Sequence, residues 1–572
     1  MAWSLGKALQ VHRELLNERI EWEQEWRRIS EFLLPGRGIY QVTNRPTKRQ
    51  LVSPKVVNGM ATDALAVLVS GLHTRLTSPS TPWFSLAWSN PRIAAIEPLT
   101  AWLQQATHAV HSALQDSNFY SVISPFYMEL AGFGTACMYI GEDTYDIEQA
   151  FRFELLTAGE YSFSMGVDGL PDVFCRTIFM TPAQVVDKFG GRADKAWRQM
   201  VNEDGQEAHT VQVTLLEIVY KESFLDKAWT RLIFDTTQHR GGTMTPQSYT
   251  DVDESPLQRD GFYEFPYPLA RWEVIGSDTY GLGPGSRTLP DIRRLQEVEK
   301  AFLMAVHKAI DPPVSAPARM RGKLTTLPGG INYYATPQEQ VVPLYNVPVD
   351  FNSTGAAFER IESRIKTAFY NDLFLTAVRD PNASPLRTGQ VMAMKQEELA
   401  RMGPIVERMQ YEFLSPLINR CFQILLRRGY FEPMDPQLAA MAAAAGGGTI
   451  AISLISPMAT AQRAASLDGV NAFLAFTAQA AQFDQSVLDN IDVDSAVRLY
   501  GNLSGVDLGI LRPQEQVMQI REARAQEQRR QQALAEQAAI AQAQGQVSRD
   551  QAGANLAQAQ AAQVMAETQG ML

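Results

Sequence analysis

Cysteine is scarce in this chain. There are three in 572 residues, Cys137, Cys175 and Cys421, far apart and without a C-x-x-C pair. A disulfide framework and a thiolate zinc site are both unsupported, and the thiols read as core residues of a protein kept in a reducing cytoplasm. Histidine is scarce too. Of seven, only His108 and His111 stand at helical i, i+3 spacing, with no acidic or cysteine partner one turn further on. Packed or solvated imidazoles are expected, not metal ligands, and nothing calls for a cofactor. No apolar run reaches the roughly 18 residues of a membrane-spanning helix. The opening MAWSLGKALQVHRELL turns charged and amphipathic at once, unlike a secretory leader. A soluble protein with no membrane partner is expected. Catalytic signatures are missing as well: no G-x-S-x-G elbow, H-E-x-x-H pair or EF-hand loop occurs. The acidic pairs Asp251/Asp253 and Asp492/Asp494 stand in loop-like sequence and read as caps and turns. Positive charge is also in deficit. A net charge of −11 repels a phosphate backbone on average, so any DNA contact is local or built not to stick.

What the chain has is apolar bulk, 45% of its residues, enough for sizeable cores. The patterning is α+β and mainly helical. Leu15, Trp22, Trp26, Ile29 and Leu33 share one face of an N-terminal helix that Pro35 and Gly36 stop. Further helices are expected at about 56–76, after Pro98, and at FYMELAGFG, which leads into the strand-like TACMYIGED. From 151 to 275 the period changes to that of strands, with one inserted helix at TPAQVVDKFG. A helical stretch resumes near Thr388 and runs to Gly429, where Pro404 and Pro416 must kink or divide it. TIAISLI is a later strand candidate. The last sixty or so residues are Ala, Gln, Arg and Glu with almost no Leu or Ile. Propensity favours helix there, either as a solvated tail or as one stave of a ring of identical helices packed through alanine. No heptad seam is sustained.

Residues 280–296, YGLGPGSRTLPDIRRLQ, hold three glycines, Gly281, Gly283 and Gly285. They raise the question of a phosphate loop. A Walker A loop needs a lysine and a hydroxyl after its last glycine; Ser286 and Arg287 stand there instead, and Tyr280 takes the place of the first glycine. The G-x-G-x-x-G pattern fails at Ser286, and the flanks supply no βαβ unit. The stretch reads as a flexible lead-in in which glycines supply positive φ. It feeds a helix whose apolar positions run from Leu289 to Ile310, with Thr288 as N-cap and Pro290 in the first turn. Asp311-Pro312-Pro313 ends it. A second helix carries Phe358, Ile361, Ile365 and Phe369 on one face. Arg293, Arg294, Lys300 and Lys308 lie on the first of these helices, and Arg360, Arg364 and Lys366 on the second. They are either the solvated side of amphipathic helices or, in a ring of copies, a wall with weak phosphate contact.

The order of these elements resembles the portal, or head-to-tail connector, family of short-tailed bacteriophages. The stretches that carry the resemblance are EWRRISEFLLPGRG, LVSGLHTRLTSPSTPWFSL, FYMELAGFGTACMYIGED and GLPDVFCRTIFMTPAQVVDKFG. YGLGPGSRTLPDIRRLQEVEKAF, LPGGINYY and RTGQVMAMKQEELARMGPIVERMQYEFLSPLINRCFQILLRRGY complete the set. It implies the portal fold, ring-forming and typically with twelve subunits. By that resemblance residues 1–288 are the wing, 289–311 the first stem helix, 312–352 the clip and 353–371 the second stem helix. Residues 372–387 are the tunnel loop, 388–430 a long kinked wing helix, 431–511 the crown and 512–572 the barrel helix. The glycines become a hinge between wing and stem. Arg379, Asn382, Ser384 and Arg387 become candidate DNA contacts of the tunnel loop, the seven stem cations candidate channel residues, and Arg319, Arg321 and Lys323 candidate partner contacts of the clip. The implied function is a structural conduit, not an enzyme. It would sit at one capsid vertex of the virion, assembled in the host cytoplasm, and pass double-stranded DNA in and out. The implied partners are further copies of the chain, tail adaptors, the terminase large subunit, the major capsid protein, scaffold and internal ejection proteins. Two other readings remain open: a DNA-processing enzyme with a degenerate nucleotide loop, and a scaffold that polymerises through its tail.

Overall fold

The computed structural model describes residues 3–35, 37, 55–94, 96–142, 149–203, 207–222, 224–237, 255–316, 351–375, 401–432, 434–444, 450–455, 473–479, 496–497 and 514–569, and 318–344 with short interruptions. The chain divides into two units, Met1–Ser466 and Leu467–Leu572, each described by itself.

The first unit opens with α1 (Leu5–Phe32), capped by Ser4, whose side chain accepts from the Lys7 N–H. Its apolar stripe is buried at Leu15, Trp26 and Ile29, as the spacing predicts. α2 (Met60–Leu76), β1 (Phe84–Trp88), α3 (Pro91–Ala94), α4 (Glu97–Asp116) and α5 (Phe119–Phe133) follow. α5 is the hub of the main core, with Phe126, Tyr127, Leu130 and Phe133 fully buried. It stops at Gly134, whose φ of 84° favours a residue without Cβ.

β2 (Thr135–Glu142) leaves that turn directly. It pairs antiparallel with β3 (Phe151–Leu156) and with β9 (Leu269–Arg271) in the order β3-β2-β9. A second antiparallel sheet runs in sequence order through β4 (Tyr161–Met165), β5 (Pro171–Met180), β6 (Val213–Tyr220), β7 (Trp229–Asp235) and β8 (Gln258–Phe262). One face of this sheet packs Cys175, Ile218 and Leu232 against Leu5, Ala8 and Leu15 of α1. The other buries Val213, Leu215 and Ile233 with Val185 and Trp197 of the insert α6 (Pro182–Phe189) and α7 (Lys195–Asn202), to which α8 (Glu207–Thr210) belongs. The inserted helix expected at TPAQVVDKFG is α6, held by a capping box between Thr181 and Gln184.

The β6–β7 hairpin is tight. Phe224 and Lys227 exchange both backbone hydrogen bonds, at 2.9 and 3.0 Å, so Leu225 and Asp226 form a two-residue loop. Such loops favour Asn-Gly because both positions need left-handed backbone. Here Leu225 has φ 48° and Asp226 φ 66°, a cost of about 1–2 kcal/mol for each side chain.

α9 spans Pro284–Ile310, the two-residue strands β10 (Val314–Ser315) and β11 (Val342–Pro343) pair beyond it, and α10 (Phe351–Ala368) and α11 (Asn371–Leu375) return. α9 therefore starts earlier than expected. Gly283 is its N-cap and Pro284 its first residue, while Thr288 lies inside, its hydroxyl donating to the Pro284 carbonyl at 2.7 Å. Proline fits the first turn because its missing N–H has no helical acceptor there; Pro290 is tolerated in the interior.

α12 (Gly403–Met409) and α13 (Ser415–Arg428) are joined by a π-helical turn, Gln410–Leu414. Pro404 and Pro416 both occupy first-turn positions. Pro416 has no N–H for the turn before it, and that turn is the widened one, Ser415 donating back to Gln410. After α14 (Pro436–Ala444), β12 (Ile450–Leu454) pairs antiparallel with β1, Phe84 opposite Leu454. The strand candidate TIAISLI is thus real, and it belongs to the first unit. In the second unit the Ala/Gln tail forms one helix, α15 (Gln514–Gln569), of 56 residues and so about 84 Å long. Met518, Leu534, Ile540, Val547 and Leu556 are exposed along it.

Candidate nucleic-acid interface

The glycines of 281–285 are packed, not loose. A Cβ on Gly281 would stand 2.6 Å from the Gly134 carbonyl oxygen, and one on Gly283 would stand 2.6 Å from that of Ala131. A Cβ on Gly285 would collide with the Gly132 backbone. None of the three has positive φ among the described residues; Gly134 does. The expectation that they supply left-handed backbone is therefore corrected. They permit the end of α5 and the start of α9 to touch backbone to backbone. The Gly281 N–H donates to Thr135 Oγ1 at 2.8 Å, and Trp272 N–H to the Gly134 carbonyl at 2.8 Å. Tyr280 is buried beside them, its ring 5.1 Å from that of Trp26 and 4.9 Å from Phe163. Burial pushes its phenol well up, so it stays neutral. A phosphate would need these amides free and reachable; Gly281, Gly283 and Gly285 are buried.

A charged clamp backs the joint. Arg271 of β9 meets Glu412 of the π turn, Nη2 to Oε1 at 2.6 Å, with both side chains nearly buried. Its other nitrogen reaches the carbonyls of Asp278 and Thr279 at 3.2 and 3.3 Å. The guanidinium thus ties the loop before α9 to α12–α13 with its donors used in a fixed fork.

The first turns of α9 are rooted. Ile292 and Leu295 are buried, and Gln296 accepts from the N–H groups of Val57 and Asn58 at 2.7 and 2.8 Å and donates to the Asn58 carbonyl. Beyond Gln296 no residue of α9 is fully buried. The projecting part touches α10 through the edge-on rings of Phe302 and Phe358, 5.7 Å apart.

Arg293, Arg294, Lys300 and Lys308 are exposed on α9. At 100° per residue Arg294 and Lys308 fall on the side opposite the buried stripe of Ile292, Leu295 and Gln296, and Arg293 and Lys300 on its flank, about 60° and 40° round from Gln296. On α10, Arg360 is exposed, whereas Arg364 pairs with Asp291 at 2.9 Å and Lys366 with Glu362 at 3.7 Å. Arg364 therefore ties α10 to α9, while Lys366 pairs within its own helix. Arg321 and Lys323 are exposed in one turn with Gly322, which has φ 77°. Arg319 lies outside the described residues, as do Arg379, Asn382, Ser384, Arg387 and both acidic pairs.

Sequence reasoning missed Gly134, Arg271 and Glu412. The only written trace of Glu412 is a carboxylate on the apolar side of a proline-broken helix. His111 is packed: its Nε2 lies 3.1 Å from the Phe84 carbonyl and its ring stacks on Phe84. Among the described residues no cluster of metal-ligating side chains occurs, and all three cysteines are buried.

Residues 5–511 match the family described as bacteriophage head to tail connecting protein. The portal protein of Salmonella phage epsilon15 is 30% identical over 525 residues, 90% of each chain. The probable portal protein of Bordetella phage BPP-1 is 29% identical over 529 residues, again 90% of each. Among solved structures, a chain from the neck of a native gene transfer agent particle aligns at 12% identity over 72% of this chain and 87% of that one, with a TM-score of 0.31.

Proposed function

Since the chain belongs to the head-to-tail connecting family of bacteriophages, we propose that it closes into a ring of twelve subunits at one capsid vertex, through which double-stranded DNA enters and leaves. The observation that supports a ring is the state of the projecting region. Between residues 311 and 344 no described residue is buried, yet Leu327, Ile331, Tyr333 and Leu344 stand exposed, as do Leu303, Met304 and Ile310 of α9. So much uncovered apolar surface on so little core calls for covering by neighbouring copies.

In this reading α9 and α10 are the stem, residues 312–352 the clip and α15 a stave of the barrel. Arg293, Arg294, Lys300, Lys308 and Arg360 face the channel. A few cations per subunit guide DNA without holding it, because each neutralised phosphate adds affinity that would stall movement. Arg319, Arg321 and Lys323 meet tail adaptors and the terminase, which carries the ATPase. The wing meets the major capsid protein and scaffold, and assembly takes place in the host cytoplasm before the ring becomes part of the virion. Arg379, Asn382, Ser384 and Arg387 remain the tunnel-loop candidates.

Negative-stain imaging of the purified protein tests this reading. Closed rings with a central hole are expected; open polymers, or turnover of ATP by the purified protein alone, would overturn it.

A further inference from the structure

The π turn between α12 and α13 grips four separate elements with four consecutive side chains. Gln410 Nε2 donates to the Ile452 carbonyl of β12 at 3.2 Å. Tyr411 donates to the Asp168 carbonyl in the β4–β5 turn at 2.8 Å. Glu412 accepts from the Arg271 backbone N–H of β9 at 3.1 Å as well as from its guanidinium. The Phe413 ring stacks on that of Phe126 in α5, centroids 4.1 Å apart. At about a quarter of a turn per residue, four in a row face every side of the helix.

Two of these grips hold the outer edges of strands. β1 and β12 form a two-stranded sheet, which is marginal without support. Its register turns the Leu86 N–H and the Ile452 carbonyl outward; Thr107 Oγ1 accepts from the first at 3.2 Å, and Gln410 donates to the second. Glu412 serves β9 in the same way. The Arg271 that it holds is also the tie to the Asp278 and Thr279 carbonyls before α9. One turn of backbone thus carries both the lead-in to α9 and the outer edge of β12.

That turn has two discrete states. In the π state Ser415 donates to the Gln410 carbonyl, five residues back. In an α state the same N–H donates to Tyr411, four residues back, and one residue's rotation, about 100°, passes into the turn. All four side chains then swing together, because they stand on the same backbone. Pro416 favours the π state, since it has no N–H to offer the Glu412 carbonyl. An element with two arrangements, gripped at both ends, is what coupling between distant segments requires.

We propose that the π turn Gln410–Leu414 is a relay: the position of the α9 lead-in, sensed through Arg271 and Glu412, sets how firmly Gln410 holds β12. β12 is the last described strand of the first unit, so the relay ends near where the chain passes into the second. It goes beyond the ring reading and does not depend on it, because every contact lies within one chain.

Hydrogen exchange of the β12 amides in the full chain tests the relay. Gly283→Ala displaces the lead-in, and Arg271→Lys keeps the charge but loses the fork. Either should speed exchange over Ile450–Leu454 about tenfold more than over Trp229–Asp235 of β7. Where Gly283→Ala does not fold, Arg271→Lys carries the test. Gln410→Leu removes the last link, and in that background the same two variants should leave β12 exchange where Gln410→Leu alone puts it. Pro416→Ala, which carries none of the four grips, should speed β12 exchange severalfold by opening the α state. Equal acceleration of β12 and β7, no acceleration of either, or a response that survives Gln410→Leu would overturn the relay. Natural exchange in Pro416→Ala would overturn it too, by removing the second state. Ring formation has no part in these readouts, so failure here and failure of the ring reading are told apart.

Discussion

The two halves of α9 make an instructive contrast. Up to Gln296 the helix is rooted: backbone touches backbone at the glycines, apolar residues face the core, and a buried amide grips Asn58. Beyond it the same helix holds only partly buried and exposed residues, meeting α10 through the Phe302 and Phe358 rings and Asn58 through Glu299 at 3.5 Å. One continuous helix therefore joins a region that resists change to one free to meet partners. Length of helix is cheap to specify; the difference lies in what each face touches.

That contrast can be broken at the rooted end. The largest effect is expected from Glu412→Leu, which leaves Arg271 buried without its counter-charge and should cost about 3–5 kcal/mol, read as a lower urea midpoint. The double variant R271M/E412L should recover most of the loss, since the buried charge then disappears.

Next is acid. His12 on α1 has its Nδ1 buried without a hydrogen-bond partner among the described residues. Burial, and then the charge of Arg19, lowers its pKa from 6.5 to about 4. A lowered histidine pKa means the unfolded chain takes up the proton first. The contribution is thus whole above pH 6.5 and drains as pH falls towards 4, by roughly 2–3 kcal/mol. Melting temperatures between pH 7 and pH 4 should fall less steeply for His12→Gln than for the natural chain.

The glycines sharpen the comparison within one residue type. Gly283→Ala drives a methyl into the Ala131 carbonyl and should cost about 1–3 kcal/mol. Gly355→Ala on α10, where a Cβ meets nothing within 4 Å, should gain up to about 1 kcal/mol. Smallest in stability is neutralising Arg293, Arg294, Lys300 and Lys308 together. Denaturation should move by less than about 0.5 kcal/mol, while DNA packaging by particles carrying the variant drops. An unchanged packaging yield would take the channel role from these residues.

The sequence disclosed whatever rests on periodicity. The stripe of α1, the strands between 151 and 275 and the inserted α6 all stand where their spacing puts them, because period-3.6 and period-2 burial are local signals. Contacts between distant segments left no such signal. The glycines at 281–285 look like a phosphate loop or a hinge until Gly134 lies against them, since a steric need for glycine has the same one-letter signature as a conformational one. The start of α9 slipped for a related reason: Thr288 is as good a cap on paper as Gly283, and packing against α5 chose between them. The cations of α9 and α10 were legible as exposed, but not that Arg364 would turn to Asp291.

The burial of all three thiols has a practical side. Burial raises the pKa of Cys137, Cys175 and Cys421, so none presents a thiolate to a labelling reagent. A cysteine introduced at exposed Lys300 would be the sole reactive thiol among described positions, and a dye or spin label there would report on whatever passes that face of the helix. The protein comes ready for single-site spectroscopy without first being stripped of its own cysteines.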